Sequence, residues 1–254
     1  MAKYFFWVGM RKIVFTNQKG GTGKTTSTVT VGAGLALKGK KVLLVDMDPQ
    51  GNIGHWFGVA PPKTLYHLLI EGAKPDQCIQ EIRENLHLIS GNKTLAQAEI
   101  ILSGKEGREN VLRRALEGVN GYDYILVDCA PSLSLLNLNS LAYCEEAVIP
   151  VSMDYFSLIG AREAMDNLKM VRTHLGHPIK LTLIVPTFFD KRNRKSFEIL
   201  DTLEKKFPGA VSHPIRINVK MSEAVSYGEN IFTFAPKSGV AQDYKMLAEK
   251  IDHG

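Results

Sequence analysis

Lys19-Gly20-Gly21-Thr22-Gly23-Lys24-Thr25-Thr26 follows the apolar run Ile13-Val14-Phe15 and opens a long helical pattern. Strand, glycine loop and helix in that order form a cradle for phosphate. Gly20, Gly21 and Gly23 let the backbone approach a polyphosphate closely and turn successive N–H groups toward it. A helix beginning near Lys24 adds unpaired first-turn N–H groups and the positive end of its dipole. Lys24 is then the residue to bridge β- and γ-phosphates, and the Thr25 hydroxyl is the ligand for Mg²⁺, with Thr22 and Thr26 completing the loop. The stretch predicts a nucleotide site built on a parallel α/β sheet.

The loop departs from GxxxxGK[ST]. Gln18 stands where the pattern wants its first glycine, and Lys19 adds a second lysine. Taken alone, Lys19 reads as a solvated loop charge, and Asn17 and Gln18 read as residues that position the loop. The form KGGxGKTT resembles the deviant Walker A motif of the ParA/MinD ATPases, in which the early lysine reaches across a nucleotide sandwich to the partner subunit's phosphates. The resemblance implies an ATP-dependent homodimer with Lys19 and Lys24 both in catalytic roles.

Lys41-Val42-Leu43-Leu44-Val45 ends in Asp46-Met47-Asp48-Pro49-Gln50-Gly51-Asn52. Two aspartates at the carboxyl end of a parallel strand share an edge with the phosphate loop, which suits Mg²⁺ and water positioning. One of them also fits a turn, because Asp before Pro favours turns. The segment matches the same family's switch region DxDPQGN, and the resemblance implies that Asp48 orients the attacking water while Asp46 supports the Mg²⁺ shell. Further on, Tyr124-Ile125-Leu126-Val127 delivers Asp128-Cys129-Ala130-Pro131, a Walker B pattern whose carboxylate holds Mg²⁺ directly or through water. An aspartate ending a strand is by itself most often structural. Beside Lys24 and Thr25, Asp128 reads as the metal-associated acid.

Pro186-Thr187-Phe188-Phe189 and Ile215-Arg216-Ile217-Asn218 hold the places that flank the adenine in that family, which nominates Thr187 and Asn218. Phe188 and Phe189 equally suit the core.

The chain of 254 residues, 44% hydrophobic, is enough for one well-buried domain. Strand-like runs at 11–16, 41–45, 86–89, 123–127, 146–151 and 180–186, with a shorter one near 210–213, alternate with helical patterns. The helices fall near 24–38, 64–71, 105–118, 133–143, 157–174, 193–206, 219–227 and 238–251. The alternation predicts an α/β fold: a single P-loop domain over 11–254, its mostly parallel, twisted central sheet flanked by helices on both faces. Residues 1–10 read as an N-terminal extension, expected to be disordered, with Met10 as an alternative start. No apolar run approaches a membrane span and no cleavage site follows the opening residues. Cys78, Cys129 and Cys144 show neither metal spacing nor an even-numbered framework, which fits a reducing cytoplasm.

Charge is unevenly placed. Between Lys180 and Lys220 there are nine Lys/Arg against four Asp/Glu, a net charge equal to the whole chain's +5. A basic run is usually a solvated face. Here Lys191, Arg192, Arg194 and Lys195 open a helix with an inner stripe expected at Phe197, Leu200 and Leu203, where cations oppose the dipole. An anionic partner relieves that mismatch, and DNA phosphate fits it. Asn218-Val219-Lys220-Met221-Ser222-Glu223-Ala224 looks like the NVRLSEA segment of small ParA proteins, whose arginine belongs to a nonspecific DNA-binding surface. Lys220 stands at that arginine. Ile217 stands where many relatives place another arginine, with Arg216 one residue away.

The resemblance therefore implies an ATPase that closes into a dimer with ATP and Mg²⁺ and binds double-stranded DNA without sequence preference. Hydrolysis would release the dimer under a ParB-like activator, in a cytoplasmic, nucleoid-associated protein that partitions DNA or another cargo, with slow turnover in the activator's absence. A MinD-like membrane cycler needs a terminal amphipathic helix with a basic face, whereas 238–251 mixes acids with lysines and reads as a packed helix. No membrane partner is expected. A nucleotide-gated scaffold with little turnover is the reading from a different class.

Overall fold

The computed structural model describes residues 9–132 and 134–254. The expected extension over 1–10 falls almost wholly outside them, although Met10 packs against the core. In chain order the elements are β1 (Arg11–Phe15), α1 (Lys24–Leu37), β2 (Val42–Asp46), α2 (Asn52–Phe57), α3 (Leu65–Ile70), α4 (Pro75–Cys78), β3 (Ile79–Arg83), β4 (Leu86–Ile89), α5 (Leu95–Ser103), α6 (Val111–Ala115), β5 (Tyr124–Asp128), α7 (Leu135–Tyr143), β6 (Glu146–Ser152), α8 (Tyr155–Leu175), β7 (Lys180–Thr187), α9 (Arg194–Lys206), α10 (Val219–Ser226), α11 (Ile231–Phe234) and α12 (Gly239–His253).

The strands form one sheet in the order β3-β4-β2-β5-β1-β6-β7. Every pairing is parallel except β3 with β4. Side chains alternate across the pleat, so each central strand feeds two cores. Val14, Leu43, Val45, Ile125 and Val127 pack under α3, α5, α6, α7 and α8. Ile13, Phe15, Val42, Leu44 and Leu126 pack under α1 and α12. The register decides where chemistry can occur: Asp128 lies beside Phe15 on one side and Asp46 on the other. Three strands thus end level, and the phosphate loop and both acidic loops leave the sheet side by side.

The expected strand at 210–213 is a single bridge between Ile184 and Val211. Pro208-Gly209 before it and Pro214 after it leave too few residues with free N–H groups to extend a ladder. The expected helix over 105–118 is broken. Helix α5, not expected from the sequence, lies before it and is capped by Gly104; Gly107 takes a left-handed φ of 63°, and within the expected range only a short turn at Arg108–Asn110 and α6 from Val111 are helical. The Asn139 side chain accepts the Leu112 N–H at 3.1 Å and fixes that restart. Strand β3, with a charged edge, was not expected from the sequence.

Across the sheet's opposite end, Arg11 at the start of β1 donates two hydrogen bonds to Glu146 at the start of β6, at 2.8 and 2.7 Å, and also contacts the Ile251 carbonyl. Burial raises the Glu146 carboxyl, but the Arg11 bonds outweigh it and hold the group below its ordinary value. The pair is therefore ionised at neutral pH and weakens only as pH falls through that depressed value. Removing one partner strands a buried charge, so Glu146→Ala is expected to cost about 3 to 5 kcal/mol in urea unfolding at pH 7. A loss under about 1 kcal/mol, the scale of an exposed pair, would show that the pair is solvated.

Candidate functional site

The glycine loop spans the gap between β1 and α1. Gly23 is the N-cap of α1 at φ 84° and supplies no side-chain cap. A left-handed φ is strained for any residue with a Cβ, and a helix start without a cap leaves its first N–H groups for a ligand. Asn17 ties the loop to the sheet, its Nδ2 donating to the Pro150 carbonyl at 2.7 Å and its Oδ1 accepting the Lys19 N–H at 3.0 Å. On the other side the Thr187 hydroxyl donates to the Thr22 carbonyl at 2.8 Å. A cavity of about 610 Å³ opens above the loop, lined by residues 21–26, Asp48, Pro49, Gln50, Asn52, Glu99, Pro131 and Phe188 among others.

Lys24 lies at this cavity's floor with its Nζ donating to the Lys19 carbonyl at 3.1 Å. Burial lowers its ammonium below the ordinary value, against the pull of Asp128 and Asp48. Thr25 donates to Asp128 Oδ2 at 2.6 Å, and Thr28 to Asp128 Oδ1 at 3.4 Å. Burial pushes the Asp128 carboxyl up to about 7, opposed by Thr25 and Lys24. Asp46 is buried completely, and burial followed by the Asp128 charge raises it well above the carboxylate range. Two adjacent buried carboxylates resist being ionised together. A hydroxyl and a carboxylate already in contact form an all-oxygen donor set, suited to a hard cation that keeps waters and phosphate oxygens as its other ligands.

Asp48 and Asp46 separate in role. Asp48 lines the cavity, with Oδ1 accepting the Gln50 N–H at 2.9 Å. Asp46 is expected to support the metal, yet both of its oxygens accept backbone N–H groups, from Asp48 and Ile53, each at 3.1 Å. Asp46 thus organises the switch loop and the start of α2 from beneath. Gly91 locks the same loop from the neighbouring β4 end: a Cβ there would sit 2.5 Å from the Asp48 carbonyl oxygen and 2.6 Å from that of Asp46.

A second cavity of about 600 Å³ shares Gly23, Thr26 and Phe188 with the first and is walled by Thr187, Ile215, Asn218, Val225 and Tyr244. Both residues expected at a nucleobase therefore line it. Each is also structural, since Thr187 holds the loop and the Asn218 side chain caps α10 through the Lys220 N–H at 2.8 Å. Phe188, at φ 55°, stands between the cavities.

Lys19 turns away from this floor. Its Nζ contacts Asp154 and lies 3.0 Å from Ser157 Oγ. Glu99 and Asp154, neither expected from the sequence, belong to no motif; only the folding of α5 and α8 toward the loop brings them there.

The basic cluster is real but differently built. Lys191, Arg192, Arg194 and Lys195 are exposed. The buried stripe of α9 is Ser196, Ile199 and Leu203 rather than Phe197, Leu200 and Leu203. Phe197 is half exposed, and its ring meets Phe189 edge-on, centroids 5.1 Å apart. No acid occupies the first turn of α9. Arg192, Arg194 and Lys220 make local ion pairs with Asp190, Glu198 and Glu223. Arg216 does not belong to the free charge expected there. Its guanidinium donates to both oxygens of the buried Asp243 at 2.7 and 2.8 Å, fastening the 215–218 loop to α12.

An AAA domain family model, AAA_31, matches residues 10–181. Sporulation initiation inhibitor protein Soj of Bacillus subtilis is 39% identical over 245 residues, covering 94% of this chain and 97% of that protein. Chromosome-partitioning ATPase Soj of Treponema pallidum is 38% identical over 244 residues, covering 95% and 96%. Among solved structures, cobyrinic acid a,c-diamide synthase from Mycobacterium smegmatis, with a bound ATP analogue and magnesium, superposes with a TM-score of 0.83 at 29% identity, covering 95% of this chain and 93% of that one. The chain belongs to the AAA_31 family and to its Soj/ParA group of partitioning ATPases.

The acidic centre yields a test in the absence of any ligand. A carboxyl raised to about 7 favours folding fully below its unfolded value near 4, and that contribution is lost as pH rises through about 7. Asp128→Asn is therefore expected to be at least as stable as the wild type in Mg²⁺-free urea unfolding at pH 8, with the difference narrowing at pH 5. A variant clearly less stable at pH 8 would mean that the ionised carboxylate is satisfied by protein alone.

Proposed function

We propose that this Soj/ParA-type chain is an Mg²⁺-dependent ATPase whose ATP-bound dimer holds DNA without sequence preference and whose hydrolysis releases it. The observation that carries this reading is the convergence of Lys24, Thr25 and Asp48 on one loop-floored cavity, with Asp128 bonded to Thr25 behind its wall, at the level ends of β1, β2 and β5.

Residues 20–26 bind the polyphosphate through backbone N–H groups, and Lys24 exchanges its bond to the Lys19 carbonyl for the β/γ-phosphate oxygens. Thr25 and Asp128 would hold Mg²⁺, and a cation there would neutralise charge on the phosphates. Asp48, fixed on its turn by Gln50 and supported by Asp46, orients the water for in-line attack. The nucleobase enters the second cavity between Thr187 and Asn218. Lys19 acts across the dimer on the partner's phosphates. Turnover is slow without a ParB-like activator, and the protein works in the cytoplasm on the nucleoid.

For DNA, the exposed pairs at Arg192, Arg194 and Lys220 are worth about 0.2 to 1 kcal/mol each and are readily exchanged for phosphate. Lys191 and Lys195 have no acid within ion-pairing distance among the described residues. Arg216 stays with Asp243. The membrane-cycling alternative is disfavoured because the apolar face of α12, with Val240, Tyr244, Leu247 and Ile251, is buried in the core.

Two copies of the surface in a dimer make binding ATP-dependent through bivalency. Affinity should be alike for unrelated duplexes and fall with salt by a log–log slope of about −0.9 per phosphate neutralised. Alanine at Lys191, Arg194, Lys195 or Lys220 is expected to weaken all duplexes alike and flatten that slope by about one unit for each phosphate left without its cation. Arg194→Ala/Lys220→Ala across a salt series is the test: wild-type affinity and slope in that variant would return the patch to ordinary solvated surface.

A further inference from the structure

We infer that Asp154, with Ser157, is a positioning residue that parks Lys19 on its own subunit until a second copy of the chain competes for that ammonium. The inference rests on the cross-dimer reading of Lys19 and goes beyond it, because it assigns what holds the lysine before the dimer forms.

Asp154 is the N-cap of α8, with Oδ1 accepting the Ser157 N–H at 3.1 Å. Its Oδ2 accepts from Ser152 Oγ at 2.8 Å and Ser157 Oγ at 2.9 Å. The carboxylate is thus fixed from three directions by β6 and α8, and Lys19 is its cationic partner. Burial raises the Asp154 carboxyl, but Lys19 and the two serines together outweigh it and hold the group down at about 2.

The loop cannot drift from this acid. Gly160, one α8 turn further, lies against it so closely that a Cβ would stand 2.7 Å from Asn17 Oδ1 and 3.4 Å from Lys19 Cβ. Asn17 in turn accepts the Lys19 N–H. Lys19 therefore has a rigid base and a preformed partner, with its Nζ away from the Lys24 floor.

The place of this ion pair matters. The next two residues, Tyr155 and Phe156, are 71% and 69% exposed, large apolar rings beside the one lysine meant to leave its subunit. Lys19 and Asp154 are themselves partly solvated, with side-chain exposures of 32% and 43%. A pair of that exposure is strong enough to bias the lysine and weak enough to be exchanged for a triphosphate's concentrated charge.

Breaking it is part of the work of dimerisation, once per protomer. Asp154→Asn preserves a residue that caps helices equally well while removing the charge that retains Lys19. From the usual strength of exposed pairs, about 1.5- to 5-fold per protomer, the dimer Kd should tighten about 2- to 25-fold.

The experiment is sedimentation velocity on the full chain with Mg²⁺ and a non-hydrolysable ATP analogue, comparing wild type, Asp154→Asn, Asp154→Glu, Ser157→Ala and Lys19→Ala. Thermal melting of each reports the fold. Tighter dimers are expected for Asp154→Asn and, to a lesser degree, Ser157→Ala. Asp154→Glu should stay near wild type, and Asp154→Asn placed on Lys19→Ala should give no gain. An unchanged or weaker Asp154→Asn dimer with an intact melt, while Lys19→Ala stays monomeric, overturns the parking role alone. A wild-type dimer from Lys19→Ala overturns the cross-dimer reading and the parking role together.

Discussion

The structure depends on one electrostatic constraint: charges of one sign are gathered where the sheet ends. Asp46 and Asp128 are neighbours in register at the carboxyl ends of β2 and β5, both fully buried, and Asp48 stands above them. Like-charged carboxylates in that setting favour protonation or a cation. The chain supplies one cation from below, Lys24, at a cost in its own desolvation, and it supplies hydroxyls from Thr25 and Thr28. Where the carboxyls ionise, further positive charge comes from a bound cation. A metal–polyphosphate ligand brings that charge together with its own anionic oxygens, and the loop's backbone N–H groups receive the latter.

That arrangement explains why the surrounding contacts are so close. The switch loop after β2 is held by Asp46 from beneath and by Gly91 from the side, where a methyl group would collide with two carbonyl oxygens. The phosphate loop is held by Asn17 on the β6 side and by Thr187 on the β7 side. Neither tether is part of the chemistry. Both hold backbone positions, which catalysis by positioning needs. The buried Arg11–Glu146 pair plays a related part at the far end of the sheet, tying β1 to β6 so that their opposite ends stay aligned.

Local sequence carried the centre of the fold well. Three glycines, two lysines and three threonines within eight residues specify the loop, and apolar runs ending in Asp128 and Asp46-Met47-Asp48 specify which strand ends face it. What escaped was set by tertiary contacts. Nothing in the order of residues 95–115 shows that Gly107 will turn left-handed and that Asn139 will cap a restarted α6. Arg216 reads as one more cation of a basic run, and only the arrival of Asp243 from α12 shows where its charge goes. Phe197 fits a helical stripe by spacing, yet Phe189 captures its ring outside the core. Asp154 looks like an ordinary helix cap until α8 is laid against the loop. The backbone-holding part of Asp46 was hidden for the same reason: its partners are N–H groups that come near only after the loop has folded over it.

Within the proposed mechanism, one cavity separates binding from hydrolysis: the loop and Lys24 bind, Thr25 and Asp128 hold the metal, and Asp48 alone directs water. Asp48→Ala tests this division most directly, by multi-angle light scattering after incubation with ATP and Mg²⁺, with phosphate release followed in the same sample. The predicted result is a persistent dimer that retains ATP and releases almost no phosphate. Wild-type phosphate release, or a variant that no longer binds ATP, would contradict it.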